Sequence, residues 1–168
     1  MKPFLWALLL SVCVCVDLGA QTPAQDLSVE DLAKALTPAP NPVATRSMRN
    51  LTVAPAKTVD LVINFDFNSA RIQASSDQQL IRLATAMKME QLQALRFQVE
   101  GHTDAKGSAE YNRVLSEKRA QAVVEFLAKN GITGERLMPI GKGFAELLNK
   151  EDPYSADNRR VRITTITQ

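Results

Sequence analysis

Hydrophobic residues from Val59 onward follow two alternating rhythms. Val59, Leu61, Ile63, Phe65 and Phe67 stand at every second position, the period of a strand buried on one face. Ser75 and Ser76 open a helix in which Leu80, Leu83, Ala84 and Met87 fall at i, i+3, i+4 and i+7. Leu95, Phe97 and Val99 alternate again, predicting a second strand that ends at Gly101. A long helix follows from about Glu110 to Lys129, with Leu115, Ala122, Val123, Phe126 and Leu127 inward, and Asn130-Gly131 closes it as a left-handed cap. Leu137 to Ile140 is a short strand before Gly141, and Arg159 to Thr167 is the last, with Val161 and Ile163 inward. The order β-α-β-α-β-β requires crossovers, and crossovers require some parallel pairing. The predicted fold class is therefore an α/β (α+β) two-layer sandwich: a mixed sheet with the helices on one face.

The chain before Val59 is of a different kind. Residues 21–56 are rich in proline and alanine (Pro23, Pro38, Pro40, Pro42, Pro55) and hold one short helix. Ser28 caps it, Glu30 and Asp31 suit its positive end, and Leu32, Ala35 and Leu36 make a small apolar face before Thr37-Pro38 stops it. So short a helix is marginal alone and either docks or frays. We read 21–56 as a tether and 57–168 as the folded domain. Residues 1–20 read as an export signal: Met1-Lys2-Pro3 is basic, and Phe4 to Val16 is apolar apart from Ser11. That run falls short of the ~18–20 residues of a transmembrane helix. Leu18-Gly19-Ala20 offers the cleavage site before Gln21. Cys13 and Cys15 leave with the signal, so the mature chain has no disulfide framework. Lipid attachment or a retained signal anchor is the competing reading, with Val12 and Val14 standing where a lipoprotein signal needs a small residue.

Composition narrows the chemistry. The 168 residues are 45% hydrophobic and 23% charged, with 20 basic and 18 acidic side chains for a net charge of +2. That field is too weak to suggest nucleic acid, and 5% aromatics make a poor base-stacking platform. The single histidine, His102, makes a poor metal site with scattered carboxylates and empties most catalytic triads. It is read as a hydrogen-bonding residue that shapes its loop. Glycan lysis needs two carboxylates across a cleft, and Glu100 and Asp104, four apart at one strand–loop junction, show nothing that would divide the acid and base roles between them. We therefore expect no enzyme, no cofactor and no metal. Gly141-Lys142-Gly143 lacks the context of a phosphate loop and reads as a turn.

The chemistry concentrates between the second strand and the long helix. Gly101-His102-Thr103-Asp104-Ala105-Lys106-Gly107-Ser108 continues into Tyr111-Asn112, Leu115-Ser116 and Arg119-Ala120. Phe65-Asp66-Phe67-Asn68-Ser69-Ala70 stands before it and Asn158-Arg159-Arg160-Val161 after it. In these motifs, taken in this order, the chain resembles the OmpA C-terminal-like family, the peptidoglycan-associating domain of Gram-negative envelopes, over about residues 57–168. It departs from the family at Glu146-Leu147-Leu148-Asn149 and at Glu151 to Ala156, where relatives carry a proline-containing loop and a glycine-arginine pair.

Helical spacing puts Asn112, Leu115, Ser116 and Arg119 on one face. A guanidinium at the edge of an apolar stripe needs an acceptor, and Asp104 is the nearest in chain order. Two readings stand on this chemistry: an Asp104–Arg119 ion pair that pins the loop, or a clamp in which arginine forks a carboxylate and aspartate takes an ammonium. The resemblance implies the second, with diaminopimelate of the peptidoglycan stem peptide as ligand. It also implies contacts from Asn158 and Arg159, and Arg160 less directly; Thr103 helps the turn or touches ligand. The expected binding set is Asp104, Arg119, Thr103, Asn112, Leu115, Ser116, Asn158 and Arg159. The function expected is a non-catalytic peptidoglycan-binding protein of the periplasm or outer membrane. The alternative is a periplasmic adaptor that binds an envelope protein through its N-terminal segment.

Overall fold

The computed structural model describes residues 27–38 and 56–166, so the export-signal reading of residues 1–20 lies outside the described residues. Four strands, β1 (Thr58–Leu61), β2 (Arg96–His102), β3 (Leu137–Gly143) and β4 (Val161–Ile166), form one sheet in the order β1-β4-β2-β3. β2 and β3 are parallel, and the helix α4 (Ala109–Lys129) between them is the crossover that a parallel pair needs. β4 returns antiparallel between β1 and β2. The sheet is thus mixed, as the element order predicts.

Alternation along the strands builds the core. Val59, Leu61, Phe97, Val99, Val161 and Ile163 are buried in one cluster with Leu80, Leu83 and Met87 of α2 (Asp77–Met87), Leu92 of the short α3 (Glu90–Gln93), and Val123 and Leu127 of α4. The alternate residues Asp60, Glu100 and Arg162 share rungs on the opposite, polar face. α4 begins where Ser108 accepts the Tyr111 N–H through its side chain, and Gly131 takes a positive φ of 88° just past its end.

The first half of α4 lies directly on strand backbone. A Cβ placed on Gly101 meets the Ser116 carbonyl oxygen at 2.1 Å, and one on Gly141 meets that of Arg113 at 2.6 Å. The side-chain-free glycine positions on β2 and β3 set the height of the helix above the sheet.

Two expectations change. The alternation through Phe67 is not one strand: β1 ends at Leu61, Phe65 forms an isolated antiparallel bridge with Ile72, and Phe67 is 98% exposed. The backbone turns back at 66–71, where Ser69 N–H donates to the Asp66 carbonyl and Asp66 N–H to that of Arg71.

The second change concerns the tether. The predicted short helix forms, α1 (Val29–Leu36), with Ser28 accepting the Asp31 N–H as expected. It does not stand apart. Leu32, Ala33 and Leu36 are buried in the same core, with Ala33 rather than Ala35 fully inward, and the helix packs on α2 and β1. At its end the buried Thr165 hydroxyl of β4 donates to the Leu36 carbonyl at 2.8 Å. The core is therefore not built from residues 57–168 alone. A leucine pair one turn apart is apolar surface enough to dock an eight-residue helix that would fray in water. Leu36→Ala should lower stability in a urea titration by about 2–5 kcal/mol, the range for a leucine removed from a packed core. An unchanged midpoint would return α1 to the tether.

Candidate functional site

The loop between β2 and α4 is fixed from both sides. Its start continues the sheet, with His102 N–H donating to the Arg160 carbonyl and Thr103 N–H to that of Gly143, each at 2.9 Å. Asp104 folds back on the loop by accepting the Lys106 N–H at 3.1 Å. Asn112, buried on the first turn of α4, donates its amide to the carbonyls of Lys106 and Ser108. Ala105 N–H donates to the Pro153 carbonyl, tying in the long loop before β4.

These elements wall an open-mouthed cavity of about 980 Å³. The loop contributes Thr103, Asp104, Lys106 and Gly107, and α4 contributes Tyr111, Asn112, Leu115 and Arg119. The 65–68 turn adds Phe65, Asp66, Phe67 and Asn68, and the far side is Tyr154 and Arg159. Six expected site residues share this cavity: Thr103, Asp104, Asn112, Leu115, Arg119 and Arg159. Thr103 is 3% exposed, and its hydroxyl has no partner among the described residues.

The charges do not form the Asp104–Arg119 ion pair of the first reading. Asp104 does not meet Arg119; its carboxylate pairs with the Arg159 guanidinium at 2.9 Å. Arg119 is held by neutral groups instead. Its Nε donates to the Ser69 carbonyl at 3.1 Å, and its guanidinium lies over the Phe65 ring, 4.9 Å from the centroid. Burial lowers the Arg119 pKa from the ordinary arginine value and Arg159 lowers it further, while Tyr111 and Asp104 act the other way. The group stays cationic across physiological pH. With Nε taken by Ser69, the terminal Nη groups remain as a fork for a planar anion.

Two of the expected contacts have other work. Ser116 is fully buried beneath the helix, where its hydroxyl donates to the Arg113 carbonyl and accepts the Gly143 N–H. Asn158 is also fully buried. Its amide donates to the carbonyls of Asn149, Asp152 and Pro153, and its oxygen accepts the Asn149 N–H. It holds in shape the stretch where the sequence departs from its relatives. Arg160 turns to the polar face of the sheet, donating to Asp60 at 3.2 Å and to the Glu146 carbonyl at 3.0 Å.

His102 also belongs to that polar face. Its ring is buried, and neither nitrogen has a hydrogen-bond partner among the described residues, contrary to the hydrogen-bonding role expected. Burial, with Arg160 and Arg162 nearby, lowers its pKa to about 4, so the ring is neutral at pH 7. The loop is shaped by backbone bonds instead.

Sequence reasoning missed the aromatic and polar rim: Phe65, Phe67, Asn68, Tyr111 and Tyr154. The Phe65-Asp66-Phe67-Asn68 motif was the signal for it, but its alternation read as core. Asn68 adopts a left-handed conformation (φ 53°), and its side-chain oxygen accepts a hydrogen bond from the Tyr111 hydroxyl, joining the turn to α4.

The family model described as "OmpA family" matches residues 64–161. The chain is 34% identical over 118 residues to outer membrane porin F of Pseudomonas fluorescens, covering 69% of this chain and 36% of that protein. It is 31% identical over 137 residues to the peptidoglycan-associated lipoprotein of Mesorhizobium japonicum, covering 76% of this chain and 80% of that one. Among solved structures, the peptidoglycan-associated lipoprotein from Burkholderia pseudomallei superposes with a TM-score of 0.54 at 27% identity, over 62% of this chain and 88% of that one. The chain spans about a third of the length of the porin F relatives it matches.

Proposed function

Because the chain belongs to the OmpA family, we propose that it is a non-catalytic peptidoglycan-binding protein of the Gram-negative cell envelope, working at the periplasmic side of the outer membrane. Its ligand is the diaminopimelate residue of the stem peptide. Arg119 forks the free carboxylate, and Asp104 takes the ammonium on the same stereocentre. The observation that carries this reading is the Arg119 guanidinium: partly desolvated and held through Nε by a backbone carbonyl, it shares one cavity with an aspartate it does not touch. An arginine serving only to pin the loop is expected to close on that aspartate.

The ion pair between Asp104 and Arg159 gives binding an exchange step. A ligand ammonium replaces the Arg159 guanidinium at the carboxylate, and Arg159, half exposed, turns toward the ligand's acidic group or to solvent. Arg159 is the half-exposed member of the pair and the Asp104 side chain is 16% exposed, so the ligand ammonium must restore at the carboxylate the contact that the guanidinium gives up.

The folded unit of this proposal includes α1. That bears on the adaptor alternative, because the apolar face by which α1 would hold an envelope partner is the face it buries in its own core.

Purified chain should sediment with insoluble diaminopimelate-type peptidoglycan and much less with lysine-type walls or walls whose diaminopimelate is amidated. The free carboxylate is the group the fork reads. Equal sedimentation with all three would remove the recognition chemistry.

A further inference from the structure

We propose that the aromatic side chains at the mouth of the cavity, Phe67 and Tyr154, form a saccharide-stacking subsite that takes a sugar ring of the glycan strand beside the bound stem peptide. This inference rests on the wall-peptide reading above and extends it from the peptide to the glycan.

Size is the first argument. A cavity of about 980 Å³ lies near the top of the ~300–1,000 Å³ range of small-molecule sites and exceeds what one amino-acid head group fills. The Asp104 and Arg119 chemistry accounts for one end of it. The remaining wall is of another character, made of rings with polar tips.

Exposure is the second. Phe67 is 98% exposed and Tyr154 66%, although both line the cavity. A phenylalanine ring held almost wholly in water, beside a pocket, marks a surface that is covered when the site is filled. The backbone that carries the ring is fixed. It sits in the 66–71 turn closed by the Ser69-to-Asp66 and Asp66-to-Arg71 backbone bonds, next to Asn68 with its uncommon positive φ. Tyr154 is carried by the loop that Asn158 pins with four hydrogen bonds, and its own N–H donates to the Asp152 carboxylate at 3.1 Å.

Chemistry chooses the occupant. Phe67 and Tyr154 line the same cavity as Arg119, so on the wall-peptide reading the group nearest them belongs to the same polymer, in which a short peptide leads to a sugar. A pyranose ring offers an apolar face of C–H groups to an aromatic ring and hydroxyl and acetamido groups at its edge. The Tyr154 hydroxyl and the Lys106 ammonium stand at the same cavity to meet those edges.

The test compares two soluble ligands by calorimetry with the full chain: the diaminopimelate-containing stem peptide, and the same peptide on its disaccharide. Wild type should bind the disaccharide-peptide about two- to tenfold tighter, the size of effect expected from a few aromatic contacts. The preference should fall to about one in Phe67→Ala and in Tyr154→Ala, and Phe67→Trp should keep or raise it. Equal affinity of wild type for the two ligands overturns the subsite and leaves the exposed aromatics as a surface for a protein partner. Failure of wild type to bind either ligand overturns the wall-peptide reading itself.

Discussion

Arg119→Ala is expected to abolish most wall binding while leaving the fold intact. Removing one member of a hydrogen-bonded charge contact of this kind typically costs ~2–5 kcal/mol, or roughly 30- to several-thousand-fold in affinity. The folding cost is smaller. The alanine forfeits one hydrogen bond to the Ser69 carbonyl and one stacking contact with Phe65, together about 1–2.5 kcal/mol. Asp104→Ala should weaken binding comparably, since it removes the acceptor for the ammonium; its loss to the fold is the ion pair with Arg159, half exposed on the arginine side only, and the bond accepted from the Lys106 N–H. Arg119→Lys should not restore wild-type affinity. One ammonium cannot both satisfy Ser69 and present a planar fork to a carboxylate. The measurements are sedimentation with diaminopimelate-type wall and a urea midpoint for each variant. Folded alanine variants that sediment like wild type would falsify the site assignment.

Gly101→Ala should do the opposite, losing the fold along with the binding. The new methyl group lands 2.1 Å from the Ser116 carbonyl oxygen, a backbone atom of α4 that cannot rotate away. Relief requires α4 to lift from β2, which also breaks the buried bond from Gly143 N–H to the Ser116 hydroxyl. Overpacking of a well-filled core costs ~1–3 kcal/mol when side chains can adjust. Here backbone must move, so the loss should exceed that range, and thermal melting is the readout. Gly134→Ala is the control: a Cβ there meets nothing within 4 Å, and its melting temperature should stay near wild type. A Gly101→Ala protein that melts with wild type would mean the helix sits higher on the sheet than described.

The strand and helix order was legible because each buried face follows a strict period: Phe97 and Val99 at two, Leu80, Leu83, Ala84 and Met87 at three and four. The C-terminal limit of α4 was legible from Asn130-Gly131. What the sequence hid was registry between distant segments. Asp104 was assigned Arg119 because one helix joins them in chain order. The partner it finds is Arg159, because β4 pairs antiparallel with β2 and sets Gly101 opposite Val161. That pairing leaves the start of β4 beside the loop that carries Asp104. Ser116 and Asn158 looked like contacts because they lie within site motifs, yet both are turned into the protein to satisfy buried backbone. Phe67 kept the period of a strand after the strand had ended, because alternation does not distinguish a face turned to the core from one turned to a cavity.

The docking of α1 decides how the domain carries a mechanical load. A pull on the chain from its N-terminal side reaches α1 before it reaches β1. The helix is short and held by three buried side chains and one bond from Thr165, whereas β1 is zipped to β4 along its length. Tension therefore peels α1 first. Among the described residues, α1 contributes nothing to the cavity lining. The proposed grip on a ligand would thus outlast the first yield, with α1 as a mechanical fuse in series with the candidate site.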